Sequence, residues 1–174
     1  MRFVVILFGT EMKKLFVVVI FLATIAFAAA KADFSGNYAT QQKKGDKAPT
    51  ASLRVVQTDS TVQVTRVYGD KSVTNSFPLY GSEGDYTTEA GVRGRCKSQL
   101  KGDMLVLESV VASPPKANLP SLRFDTIEKW RLSADGRTLT IKTEIKCPDM
   151  TADINAALFR INPQTEKYQR LDAR

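Results

Sequence analysis

The sequence predicts an all-β domain, an antiparallel up-and-down β-barrel of about 8–10 strands preceded by a signal peptide helix. Three observations carry this. The stretch from Leu122 to Cys147 reads as two alternating flanks joined by Asp135-Gly136. Similar short alternating runs, punctuated by turn residues, recur from residue 52 onward. After residue 32 no run has a helical period of apolar residues.

In the 122–147 hairpin, Phe124, Trp130 and Leu132 share one face of the first flank, opposite Arg123, Asp125, Lys129 and Arg131. Leu139, Ile141 and Ile145 share one face of the second, opposite Lys142, Glu144 and Lys146. A period of two with one apolar face is a half-buried antiparallel strand. Gly136 accepts the positive φ of a tight turn without a Cβ clash.

The elements follow in order. Met12-Lys13-Lys14 and the apolar run from Leu15 to Ala30 form a positive n-region and an uncharged core, closed by small residues up to Ala32. This is a secretory signal peptide pattern over 1–32, with cleavage expected after Ala32 and translation expected to start at Met12. No stable membrane span is expected after cleavage, and the destination is periplasmic or extracellular. Asp33 to Tyr38 opens the domain, 33–163, as a first strand, and 41–50 is a polar loop. Leu53 and Val55 alternate with Arg54 and Val56; Val62, Val64, Arg66 and Tyr68 alternate with Gln63, Thr65 and Val67. Gly69-Asp70 is a two-residue turn before Val73, Asn75, Phe77 and Leu79. A short strand is expected around Tyr86. Gly94, Cys96, Ser98 and Leu100 share a face, and Lys101-Gly102-Asp103 turns into the apolar 104–111 run. Ala157, Phe159 and Ile161 read as the last strand, and 164–174 as a flexible polar tail. Closing such a meander removes its unpaired edges, and a sandwich is the competing architecture.

Composition excludes several function classes. There is no histidine, which removes Ser-His-Asp and Cys-His catalysis and His-ligated metals. Lys and Arg number 25 against 18 Asp and Glu, but four of those cations lie in the first 32 residues, and the rest are scattered. Such a surplus indicates a solvated surface with no nucleic-acid partner. No phosphate loop, metal spacing or Cys-x-x-Cys occurs, so neither a cofactor nor a metal is expected. Carboxylate pairs such as Glu108 with Glu128 have no spacing that fixes a geometry for acid–base work, and no enzyme activity is expected.

Arg66 and Glu128 stand out because alternation puts each on an otherwise apolar face. A charge inside a barrel must be paired or must meet a ligand; a bulge that shifts parity, or a rim salt bridge, is the plain alternative. Tyr68, Phe77, Phe124 and Trp130 would line the same interior, as core or as ligand contacts. Cys96 and Cys147 are the only cysteines. An oxidising compartment favours a disulfide between them, although two strands intervene and a bridge needs Cα atoms within about 7 Å.

Asp33-Phe-Ser-Gly-Asn-Tyr38 resembles the F-S-G-x-W opening of bacterial secreted lipocalin-like proteins. Leu100-Lys-Gly-Asp-Met-Leu-Val-Leu-Glu-Ser109 and Trp130-Arg-Leu-Ser-Ala-Asp-Gly-Arg-Thr-Leu-Thr-Ile141 are similar to their later hairpins. These motifs are turns and core positions, so they imply fold and carry no chemistry. The resemblance implies a calycin-type barrel in which Tyr38 takes the place of the barrel-end tryptophan, with Arg160 as its basic partner. It also implies a small apolar or amphipathic ligand held inside without catalysis. The alternative is a filled barrel serving as a structural or protein-interaction module of the cell envelope.

Overall fold

The computed structural model describes residues 32–40, 51–114, 121–150 and 163–171. They form ten strands: β1 (Gly36–Thr40), β2 (Ser52–Gln57), β3 (Thr61–Tyr68), β4 (Lys71–Pro78), β5 (Gly84–Thr87), β6 (Arg93–Lys101), β7 (Met104–Ala112), β8 (Arg123–Leu132), β9 (Thr138–Lys146) and β10 (Gln164–Arg170). All pairings are antiparallel, and the sheet order is β4-β3-β2-β1-β10-β9-β8-β7-β6-β5. The chain therefore winds up and down in sequence, and the β1–β10 pairing closes the ring. The architecture is the expected all-β barrel, open along one seam between β4 and β5.

Two strand expectations are corrected. The 164–174 segment is not a flexible tail: Gln164–Arg170 is the closing strand, with Tyr38 opposite Arg170 and Leu139 opposite Tyr168. Its sequence, Gln-Thr-Glu-Lys-Tyr-Gln-Arg, has one apolar residue and no visible alternation. It is held by ladder hydrogen bonds on both edges rather than by an apolar face. The strand expected around Ala157–Ile161 lies outside the described residues, as do residues 1–31 of the expected signal peptide. Chain entry is also shifted, since β1 begins at Gly36 and Phe34 precedes it as a fully buried plug. The Gln57 carboxamide clamps this entry, donating to Ala32 O (3.0 Å) and accepting from Phe34 N (3.1 Å).

The seam between β4 and β5 is joined by side chains instead of a ladder. Asn75 donates to Thr87 O at 2.9 Å and accepts from Thr87 N at 2.8 Å, mimicking a backbone pair. The Ser98 hydroxyl reaches Phe77 O and Pro78 O, both at 3.1 Å. The Cys96 thiol lies 3.4 Å from both Ser76 O and Asp85 O. Gly84 permits this approach, because a Cβ there would sit 2.8 Å from Pro78 Cδ. Buried backbone groups are thus satisfied although the strands do not pair.

This arrangement also settles the cysteines. No disulfide joins Cys96 to Cys147; each is a separate buried thiol. Cys96 stands in one cross-strand row with Ser109, Thr126 and Ile145, and Cys147 lies two residues beyond that row on the third strand over. Three strand spacings amount to about 14 Å, twice the span a disulfide covers.

Candidate functional site

The barrel interior divides along its axis. At one end, where Phe34 enters, Tyr38, Leu53, Val55, Val62, Phe77, Leu79, Leu105, Trp130 and Leu139 form one buried apolar cluster. Arg170 seals this end. Its Nη2 donates to Tyr38 Oη at 2.9 Å and to Ser35 O, and its guanidinium lies 5.3 Å from the Tyr38 ring centroid. Tyr38 in turn donates to Phe34 O at 2.9 Å. Gly36, at φ 151°, is needed here because a Cβ would come within 2.8 Å of Arg170 Nε. The glycine of the Ser-Gly-Asn-Tyr motif thus makes room for a cation from the other end of the chain. The basic partner of Tyr38 is Arg170; Arg160, expected in that role, lies outside the described residues.

Towards the other end the inner face turns polar and aromatic. Alternation places Arg66 and Tyr68 of β3, Tyr86 of β5, Ser109 of β7, Phe124, Thr126 and Glu128 of β8, Thr143 of β9 and Glu166 of β10 on this face. Most are only half-buried. At the boundary with the apolar half, Arg66 Nη2 donates to Glu128 Oε2 at 2.6 Å. The same oxygen accepts from Trp130 Nε1 at 2.8 Å. Arg66 also lies 6.0 Å from the centre of the Trp130 ring, within cation–π range. No bulge intervenes in β3 or β8 before this point, so the simple period of two put both charges inside.

The electrostatics follow from this pair. Burial alone would lower the Arg66 pKa, but the Glu128 carboxylate outweighs it and holds the guanidinium charged above its ordinary range. Burial raises the Tyr68 and Tyr86 hydroxyls while Arg66 opposes the rise. Tyr168 is raised by burial and then by Glu166, to which its hydroxyl donates at 2.8 Å. Three phenols therefore stay protonated around one ion pair, as hydrogen-bonding groups rather than acids. Among the described residues, no group of three His, Cys, Asp or Glu side chains converges to hold a metal ion.

The structure therefore brings Arg66, Glu128 and Trp130 into direct contact. Tyr68 stands at the rim, 37% exposed. Phe124 is half-buried near the same rim, opposite Val111. Phe77 is core, packed edge-on against Tyr86 with ring centroids 6.0 Å apart. Sequence reasoning missed Tyr86, Ser109, Glu166 and Tyr168. Tyr86 sits in a four-residue strand too short to show alternation, and the last two belong to the strand read as a tail.

Comparison with known proteins bears on the fold. No protein-family model and no curated protein matches the chain. Among solved structures it is similar to a REP1-NXSQ fatty acid transporter, with a TM-score of 0.53 and 14% identity over 80% of this chain and 97% of that one. The fold is that of the fatty-acid-binding proteins. A fatty-acid-binding protein from brain tissue of Drosophila melanogaster is similar as well, with a TM-score of 0.50 and 16% identity over 79% and 99% of the two chains. So is Echinococcus granulosus fatty-acid-binding protein 1, with a TM-score of 0.51 and 11% identity over 79% and 97%. At these identities the likeness speaks to the barrel and not to its contents.

Proposed function

We propose that this protein is an exported carrier that holds a small amphipathic molecule inside its barrel without transforming it. The observation that carries the reading is the division of the interior. A buried apolar cluster occupies one half, and the Arg66–Glu128 pair stands at its boundary with a half-buried inner face. A tail burying apolar area gains about 25 cal/mol per Å² before association costs, and the polar boundary fixes the head. That the similar solved structures are named for binding or transporting fatty acids supports the same reading. Export rests on the Met12 to Ala32 signal pattern.

Native mass spectrometry tests it. The full chain is expressed with its leader in an exporting host and purified without organic solvent. A mass above the processed polypeptide, lost on denaturation and extractable into solvent, is the expected result. A bare mass with no uptake of a fluorescent apolar probe refutes the carrier. One observation favours the filled-barrel alternative: Trp130, Tyr38 and Phe34 are fully buried and close the apolar end by themselves. On that reading the protein acts through its outer surface, and the bare-mass outcome is the one it requires.

A further inference from the structure

The chemistry of the ion pair limits which head group can sit against it, an inference that rests on the carrier reading and goes beyond it. Arg66 Nη2 and Trp130 Nε1 both donate to Glu128 Oε2. Glu128 Oε1 accepts no hydrogen bond from the described residues, and Arg66 Nε and Nη1 donate none. Among the described residues Arg170 Nε is the only side-chain nitrogen or oxygen that is both fully buried and unpartnered. The spare atoms of the pair therefore keep some accessible surface. They offer one acceptor beside two donors.

The charge balance of that half is equally specific. By strand parity its inner face carries Arg66 and Glu128 and, towards the exposed rim, Lys71 and Glu166, so that its charges balance among the described residues. Lys71, the first residue of β4 and opposite Tyr68, and Glu166 are both exposed, which leaves Arg66 and Glu128 as the inner pair away from the rim. Arg66 is already neutralised. A ligand carboxylate would add a negative charge that no second buried cation offsets among the described residues: accepting from the spare Arg66 N–H groups sets it beside the Glu128 carboxylate, and claiming Arg66 outright strips it from Glu128. That would leave Glu128, 8% exposed, with the Trp130 indole as its sole donor, and an uncompensated buried charge is strongly unfavourable. A head that is uncharged, and that both donates and accepts, uses Oε1 and the spare guanidinium N–H groups while the pair stays intact.

We infer that the barrel selects amphiphiles with an uncharged donor–acceptor head, such as a carboxamide or the hydroxyls of an acylglycerol, over fatty-acid anions. The test is a displacement titration of the full processed chain at neutral pH with palmitamide, palmitate and hexadecylamine, which share one tail. Palmitamide is expected to bind at least about ten-fold more tightly than either charged analogue. Glu128→Gln keeps an acceptor for Trp130 and removes the neutralising charge. In that variant palmitate is expected to gain at least about ten-fold, while palmitamide changes little. Preference of the unmodified protein for palmitate or hexadecylamine overturns the inference and leaves the carrier standing. An unchanged palmitate affinity in Glu128→Gln also overturns it. Failure of all three ligands to bind removes the carrier reading itself. Should the variant not fold, the ranking by the unmodified protein decides alone.

Discussion

Cutting the Arg66–Glu128 pair from either side, and then from both, measures how the barrel interior is held. Glu128→Leu leaves the guanidinium without its carboxylate and orphans the indole N–H of a fully buried Trp130. Removing one partner of a buried pair costs about 3–5 kcal/mol, and an orphaned buried donor about 1–3 kcal/mol. The Arg66 side chain is 22% accessible and can turn towards the rim, whereas that of Glu128 is 10% accessible. This escape route brings the expected total for Glu128→Leu to about 4 kcal/mol. Arg66→Met keeps the Trp130 bond but strands the less accessible charge, at about 3 kcal/mol. The double variant removes both charges and leaves only the indole unpartnered, so its cost is about 1–3 kcal/mol. The coupling is then about 4–6 kcal/mol. Urea unfolding followed through Trp130, the only tryptophan, gives all three values. Additive single costs, within about 0.5 kcal/mol, would show that the two side chains do not act as a pair and refute the reasoning.

Two further outcomes are expected. Burial pushes the Cys96 thiol up to about 11. The unfolded chain gives up that proton near pH 9 and the folded chain near 11, so the contribution is complete below pH 9 and is lost between pH 9 and 11, at up to about 1.4 kcal/mol per unit. Unfolding titrations of the protein and of Cys96→Ser across this window should diverge by about 1–3 kcal/mol; parallel curves would show that the thiol does not titrate differently on folding. Deleting residues 164–174 removes the strand that pairs with both β1 and β9, along with the Arg170 seal on Tyr38. The shortened chain should lose its cooperative unfolding transition, and a retained sharp transition would contradict the role given to β10.

Much of the barrel is legible in the amino-acid order. Trp130, Leu132, Leu139 and Ile141 are buried or half-buried on the face that alternation assigns. Gly69-Asp70, Gly102-Asp103 and Asp135-Gly136 are turns as expected, and Gly69, Gly102 and Gly136 have the positive φ that suits glycine. Arg66 and Glu128 could be singled out as inward charges because a period of two leaves no other side for them. Where apolar residues are sparse, the pattern fails. Gln164–Arg170 shows no hydrophobic alternation, since its order comes from hydrogen bonds to two neighbouring strands. The Cys96–Cys147 bridge fails for the opposite reason: shared parity places both thiols inward, but parity says nothing about lateral distance.

The sequence by itself determined strand period, turn positions and the inward orientation of individual residues, because these depend on local backbone geometry and on which side chains avoid water. Partnership was decided by tertiary structure alone. That Arg66 meets Glu128 across 62 residues of chain, that Arg170 and not another arginine covers Tyr38, and that Asn75, Cys96 and Ser98 join an unpaired seam all depend on ring closure. Closure brings β1 to β10 and β4 near β5. It arises from the summed twist and stagger of ten strands, a quantity that no local stretch of sequence carries.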